Sequence, residues 1–336
     1  MNKAPMKMLF IILMSQGTLI SVTSNNWLGI WMGLEINLLS FIPLITYNKG
    51  SNMNSSGIKY FIVQSIASIT MLTSITSLMI YDHPYVTFIT SLTAISILMK
   101  MGAAPLHFWF PEIMENLEWN NCIIMMTWQK IAPMLILSYL EITQKLVELF
   151  IISSALIGAI MGLNQISLRL IMSYSSISHM GWMMAALFSN STIWMIYFLT
   201  YTLMTTLISI SFKSNNIFMI NEIYLNKNFN KMNKFNLALS FLSLGGMPPL
   251  LGFLPKWILI EQLMINSQYL INFTLIISSV ITLYFYMKMF MSAGLISSQE
   301  NSWHLNNMLN KPLDNLASYL NLLSTLGIIL SSVLFL

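Results

Sequence analysis

Apolar runs of about 20 residues recur from one end of this chain to the other, and each is long enough to cross a bilayer as a helix. They fall near 8–24, 26–47, 58–80, 86–106, 121–140, 146–167, 170–189, 192–212, 235–263, 268–292 and 317–336. None alternates apolar and polar residues as a barrel strand would. The reading is therefore an all-α polytopic membrane protein with about eleven transmembrane helices. Composition decides against a water-facing fold: of 336 residues, 56% are hydrophobic and 8% charged, about a third of the charged share of a soluble domain.

The charges test the span count. Lys100, Lys130 and Lys256 lie within or at the edge of apolar runs, which leaves twelve basic residues. Assigning loops alternately to two sides puts eleven of these on the side of the N-terminus, from Lys3 to Lys311, and only Lys145 on the other. Such a bias marks the side from which a membrane protein inserts, and one miscounted helix would scramble it. The stretches 213–234 and 297–316 read as longer loops on the basic side, the first with room for a short interfacial helix.

Several classes fall away. A net charge of +4 with no basic run among exposed aromatics offers no nucleic-acid surface. Cys122 is the single cysteine and sits in an apolar run, where it reads as a small buried hydrophobe. His, Cys and carboxylates nowhere show metal-ligand spacing, and no glycine-rich dinucleotide fingerprint joins a strand to a helix. Neither a cleavable leader nor an Arg-rich transit peptide is read at the N-terminus. Twenty-nine methionines beside one arginine, Arg169, point to the nucleotide bias of an organellar genome.

Two stretches resemble each other. Pro105-Leu106-His107-Phe108-Trp109-Phe110-Pro111-Glu112 aligns with Pro249-Leu250-Leu251-Gly252-Phe253-Leu254-Pro255-Lys256, and each is preceded by a glycine pair or near-pair, Gly102-Ala103-Ala104 and Gly245-Gly246-Met247. They lie on spans of opposite direction. Inverted repeats with Gly/Pro-interrupted helices are the sequence signature of a transport site near the midplane. The expected halves are 8–140 and 146–292 within one antiporter-like domain, with 317–336 as a C-terminal helix.

Four ionisable residues fall at membrane depth: Glu35 in the second apolar run, Lys100 in the fourth, Lys130 in the fifth and Lys256 in the ninth. A charge there costs about 2.5–3.5 kcal/mol on insertion scales and marks a functional site. Each lysine has a proline nearby. Proline leaves the carbonyl four residues earlier without its donor, so Pro105, Pro133 and Pro255 are expected to free the carbonyls of Met101, Gln129 and Leu251. Such carbonyls need protein or trapped water. Lysines beside them read as members of a proton relay; snorkelling to the interface and static ion pairing are the alternatives. His179 shares a helical face with Ser175 and Ser176 and fits either a hydrated relay or a packing contact. His107 is a further candidate, while His83 and His304 read as solvated. Gly29-x3-Gly33 and Gly158-x3-Gly162 read as close helix crossings.

The runs Met99–Glu112, Thr127–Pro133 and Leu244–Trp257, with Gly162-Leu163-Asn164-Gln165 and Tyr174–Trp182, carry a resemblance over nearly the whole chain. It is similar to the chain 2 family of NADH–ubiquinone oxidoreductase, mitochondrially encoded antiporter-like subunits of respiratory complex I, in wording closest to insect members. The resemblance implies a Glu35–Lys100 pair, a central Lys130 and a distal Lys256. It implies a multi-pass protein of the mitochondrial inner membrane with a matrix-side N-terminus, in contact with lipid and with other membrane-arm subunits, including further antiporter-like chains. Electron transfer from NADH to ubiquinone would run elsewhere: FMN and iron–sulfur clusters belong to the complex, and this chain would bind no cofactor. Family members lack three helices of their bacterial relatives, in keeping with eleven spans. Ser167-Leu168-Arg169-Leu170 departs from a frequent pair of basic residues. The residues alone also allow a stand-alone cation/proton antiporter or a structural spacer.

Overall fold

Apolar backbone in a membrane has no water to bond, so every N–H and C=O must find a partner within its own segment. A computed structural model describes residues 3–47, 51–80, 85–140, 143–225, 231–248 and 250–294. Among them the regular secondary structure is all helical, and the one β-feature is an isolated bridge between Ser167 and Met219. The helices are α1 (Lys3–Thr23), α2 (Trp27–Thr46), α3 (Ser51–Ile80), α4 (Val86–Met101), α5 (Trp109–Asn116), α6 (Trp119–Met126), α7 (Trp128–Ser138), α8 (Gln144–Gly162), α9 (Leu168–Ser189), α10 (Ser191–Asn215), α11 (Ile220–Leu225), α12 (Lys231–Gly245), α13 (Phe253–Ile265) and α14 (Tyr269–Gly294). Six of the described helices, α1, α2, α3, α8, α10 and α14, are long and apolar enough to cross a membrane. The expected span 317–336 and the loop 297–316 lie outside the described residues.

Three expected spans are interrupted. The fourth stops at Gly102, which is left-handed (φ 74°), and resumes as α5. The fifth bends at Thr127, between α6 and α7, where the hydroxyl bonds back to the Ile123 carbonyl at 2.7 Å; such back-bonding bends helices. The ninth stops at Gly246 (φ 81°) and resumes as α13. Hydroxyls elsewhere follow the same economy: Ser175, Ser176 and Ser178 of α9 each donate to the carbonyl three residues earlier. That lets polar residues sit in a helix whose every residue from Ser175 to Leu187 is buried.

The chain forms two compact units, residues 1–150 and 151–336. In the first, α2 packs on α1 and α3, α3 on α4 and α5, and α7 on α1, α4 and α6. The α1–α2 crossing is so close that a Cβ on Gly33 would stand 2.5 Å from the Ser21 nitrogen, and one on Gly17 2.8 Å from that of Asn37. In the second, α9, α10, α12, α13 and α14 pack together, and a Cβ on Gly158 would stand 2.5 Å from the Ser178 nitrogen. Of the expected glycine pairs, Gly33 and Gly158 meet backbone; Gly29 faces the Ser24 side chain and Gly162 the Phe285 ring. Large apolar side chains such as Ile12, Phe61, Ile69, Phe273 and Val280 remain exposed, as suits faces turned to lipid or to neighbouring subunits.

The stretch read as a loop over 213–234 is mostly helical. It contains the end of α10, the short α11 and the start of α12. Glu222 caps its turn by accepting from the Phe218 and Met219 N–H groups at 2.6 and 3.2 Å. Lys234, taken as a loop cation, is instead 7% exposed on α12, because that helix begins at Lys231, before the apolar run. One ion pair among the described residues joins Lys59 of α3 to Glu112 of α5 at 2.7 Å, with both side chains more than half exposed. Exposed pairs contribute about 0–1 kcal/mol. Lys59→Ala is therefore expected to leave the thermal stability of the detergent-solubilised assembly within a degree or two, about the shift such an energy gives in a large domain, as measured by differential scanning fluorimetry.

Candidate functional site

In the first unit the site is built by the ends and bends of helices. Lys100 is the penultimate residue of α4 and is 8% exposed. The helix end beside it is sealed piece by piece. Gly102 and Ala103 N–H groups bond the Met99 and Leu98 carbonyls, the Trp109 indole N–H donates to the Met99 carbonyl at 3.2 Å, and the Gln64 amide donates to the Lys100 carbonyl at 3.2 Å. The Lys100 ammonium itself has no hydrogen-bond partner among the described residues. It borders a small cavity lined by Leu34, Asn37, Leu38, Tyr60, Gln64, Gln129 and Pro133.

Glu35, expected to be buried, is only partly buried on α2. It forms no direct ion pair with Lys100, although both Lys100 and Tyr60 lie within the field of its carboxylate. Lys130, in the first turn of α7, is 2% exposed, and its Nζ lies 5.5 Å from the centre of the Phe110 ring. Phe110 can stand there because Gly102 has no side chain: a Cβ would come within 3.1 Å of the Phe110 Cβ. The break after Lys100 thus places the aromatic face that Lys130 meets. His107, in the break itself, is 2% exposed, with Nδ1 3.2 Å from the Pro105 carbonyl and Nε2 without a described partner.

In the second unit Lys256 is 6% exposed and donates to the Gly245 carbonyl at 3.0 Å, the last carbonyl before the break. Its Nζ lies 5.5 Å from the centre of a Trp182 ring. Trp182 stacks on Tyr197, with planes 12° apart, and the Tyr197 hydroxyl meets His179 Nδ1 at 2.8 Å. His179 and Tyr201 also approach, with ring centres 5.3 Å apart. The structure therefore links two expected members, Lys256 and His179, through Trp182 and Tyr197, neither of which the sequence singled out as a site residue. No local pattern announces them, since aromatic residues on a buried helix face look like core.

The prolines act differently from expectation at two of three positions. Pro105 lies in the non-helical break, and Pro255 sits in the first turn of α13, where an N–H would have no intrahelical acceptor anyway. Only Pro133 lies inside a helix and leaves a carbonyl, that of Gln129, without its donor.

Residues 24–282 match the family model described as NADH:quinone oxidoreductase/Mrp antiporter, TM. The chain is similar to NADH-ubiquinone oxidoreductase chain 2 of Locusta migratoria, 44% identical over 97% of this chain and 96% of the relative. It is 43% identical to the same subunit of Anopheles gambiae, over 97% of each. Its fold resembles a chain of respiratory complex I from Thermus thermophilus, with a TM-score of 0.85, 20% identity, and coverage of 97% of this chain and 78% of that one. It also resembles a chain of the Mrp complex from Dietzia sp. DQ12-45-1b, with a TM-score of 0.81, 14% identity, and coverage of 97% and 75%. The likeness read from the lysine-bearing motifs is thus borne out over nearly the whole chain, which belongs to the NADH-ubiquinone oxidoreductase chain 2 family of antiporter-like, all-helical membrane proteins.

Proposed function

We propose that this chain carries protons across the mitochondrial inner membrane as a membrane-arm subunit of NADH:ubiquinone oxidoreductase, through a relay of Glu35, Lys100 and Lys130 in its first unit and Lys256 with His179 in its second. His107 is a further member on the first side. One observation carries the reading. Three lysines, 8%, 2% and 6% exposed, sit at interruptions of otherwise apolar helices. Burying an ammonium costs free energy that a merely structural side chain has no reason to incur. The partial exposure of Glu35 suits a group that answers to a neighbouring subunit as well as to Lys100.

The electron-transfer cofactors, FMN and iron–sulfur clusters, belong to other subunits of the assembly. About eleven spans, a matrix-side N-terminus and an inverted repeat of 8–140 and 146–292 complete the proposal. The repeat is supported by matching local structure: in each half a helix ends at a positive-φ glycine, Gly102 or Gly246, and resumes after a short break. The lysines bracket these breaks from opposite sides, Lys100 before and Lys256 after.

The second reading is a stand-alone cation/proton antiporter, for which the family model shared with Mrp antiporters speaks. Co-migration with a large NADH-oxidising assembly on a native gel supports the subunit; an active isolated chain supports the antiporter. Within the assembled enzyme of a tractable relative, Lys256→Met is expected to lower the protons moved per NADH oxidised. Unchanged pumping at normal assembly rejects a relay through Lys256.

A further inference from the structure

The break before α13 is built to hold a positive charge, whether or not a lysine supplies it. α12 ends in a Schellman-type turn: the Gly246 N–H bonds the Ser243 carbonyl at 3.0 Å and the Met247 N–H the Leu242 carbonyl at 3.2 Å. The Gly245 carbonyl falls outside that turn, at a helix end that carries partial negative charge. The donor described at it is the Lys256 ammonium, at 3.0 Å. Gly246 makes the approach possible: it is left-handed (φ 81°), and a Cβ on it would stand 3.0 Å from Lys256 Cδ and 3.1 Å from Nζ. The Trp182 ring closes another side, its centre 5.5 Å from Nζ, and is held by its stack on Tyr197. Lys256 forms no ion pair among the described residues. A carbonyl, a helix end and an aromatic face, without a paired carboxylate, is the chemistry that recognises organic ammonium ions.

The first unit shows that such a helix end does not need a lysine. α4 closes with the same turn: the Gly102 N–H bonds the Met99 carbonyl and the Ala103 N–H the Leu98 carbonyl, both at 3.1 Å. There neutral side chains serve the last turn, the Trp109 indole at the Met99 carbonyl and the Gln64 amide at the Lys100 carbonyl. The residue aligned with Lys256 is Glu112, which is exposed and paired with Lys59. An ammonium across the α12 end is therefore a matter of charge and not of capping. We propose that the α12 end and the Trp182 face form a binding site for a monovalent ammonium ion, which Lys256 fills with its own Nζ and thereby closes to free cations. The inference rests on the reading of Lys256 as a relay member and deepens it. Trp182 becomes a positioning residue that holds the charge at the α12 end and takes no proton. Proton carriage is thereby set apart from cation carriage, because a tethered ammonium can give up a proton but cannot leave.

The test uses the complete respiratory complex of a tractable relative with the same lysine and tryptophan. Lys256→Ala removes the atoms from Cγ to Nζ, the outline of n-propylammonium. Purified Lys256→Ala complex should bind radiolabelled n-propylamine saturably, at a site that the wild type does not offer. No saturable binding, or equal binding by the wild type, overturns the proposal. In inside-out vesicles the variant should build little membrane potential from NADH, and n-propylamine should restore most of it. Potential is the readout because a permeant amine dissipates a pH difference and leaves the potential standing. Lys256→Met, whose stem still fills the site, should gain nothing from the amine. Adding Trp182→Leu to Lys256→Ala should raise the half-restoring amine concentration about tenfold, within the range that a ring–cation contact supplies; an unchanged concentration removes Trp182 from the site. If Lys256→Ala builds a full potential without amine, the relay role of Lys256 falls, and amine binding alone then decides the site. Enzyme that keeps Lys256 answers even where the alanine variant does not assemble. Trp182→Leu should lower the potential built per NADH, and Trp182→Phe, which keeps a ring, should restore most of it. Equal output from Trp182→Leu and the wild type overturns the proposal.

Discussion

Lys130→Met, introduced into a tractable relative, should assemble normally and oxidise NADH, yet move markedly fewer protons for each NADH. The physical case begins with what the substitution removes. Lys130 is 2% exposed, in the first turn of α7, with an aromatic ring 5.5 Å from its Nζ. Methionine keeps much of the unbranched stem and removes the ammonium, so packing against Phe110 is largely retained. Replacing a buried ionised group by an apolar side chain of similar shape is often neutral or stabilising, because the cost of burying charge disappears. A cation over a ring returns only about 0.5–2 kcal/mol, comparable with the penalty removed. Assembly is therefore a poor explanation for any loss of pumping, and the loss reports proton chemistry. The check is proton uptake into inside-out membrane vesicles alongside NADH oxidation, with a native gel for the amount of complex. Full pumping from a fully assembled Lys130→Met enzyme would leave the central lysine as a packing residue and remove the strongest member of the relay.

The sequence makes the spans and the buried charges legible for the same reason: both are departures from a background that a bilayer enforces. An ammonium in an apolar run, as at Lys100, Lys130 and Lys256, stands out without any knowledge of neighbours. The breaks are legible too, since Gly102 and Gly246 stand just before the two aligned stretches, though the left-handed backbone there is not. The bend at Thr127 is not, because a threonine that bonds back to Ile123 looks like any other threonine in a membrane helix. Nor can a sequence say whether a helix runs through a proline or starts at it. That is why Pro133 frees a carbonyl as expected while Pro105 and Pro255 do not. The partners of the lysines are the least legible part. Gln64 reaches the Lys100 carbonyl from 36 residues away, and Gln129 reaches Asn37 from 92. Amides and aromatics acquire meaning only when helices meet.

The second large effect should come from the smallest possible side chain. Gly252→Ala is expected to cut the amount of assembled complex severely, and to impair pumping in whatever does assemble. Gly252 immediately precedes α13, at the end of the break that begins at left-handed Gly246. Its own backbone is ordinary (φ −68°), so the constraint is space and not conformation. A Cβ there would overlap the Ser243 carbonyl oxygen of α12. Backbone, unlike a flexible side-chain end, cannot swing away, so α12 and α13 would have to separate. Overpacking a core costs about 1–3 kcal/mol even where side chains can adjust, and here the colliding group is fixed in a helix. Separation would carry a second consequence. Lys256 lies one turn along α13 and bonds the Gly245 carbonyl at the end of α12, at 3.0 Å; moving the two helix ends apart stretches that bond. The variant should therefore couple a packing defect to a displaced ammonium. A matched control distinguishes them: Gly245→Ala, where a Cβ comes no nearer than 3.4 Å to the edge of Tyr286 and 3.7 Å to Leu283, both ordinary contacts, should assemble far better. Comparable amounts of complex from Gly252→Ala and Gly245→Ala, measured on native gels of the same membranes, would mean that the break between α12 and α13 tolerates expansion and that its close approach does not fix Lys256.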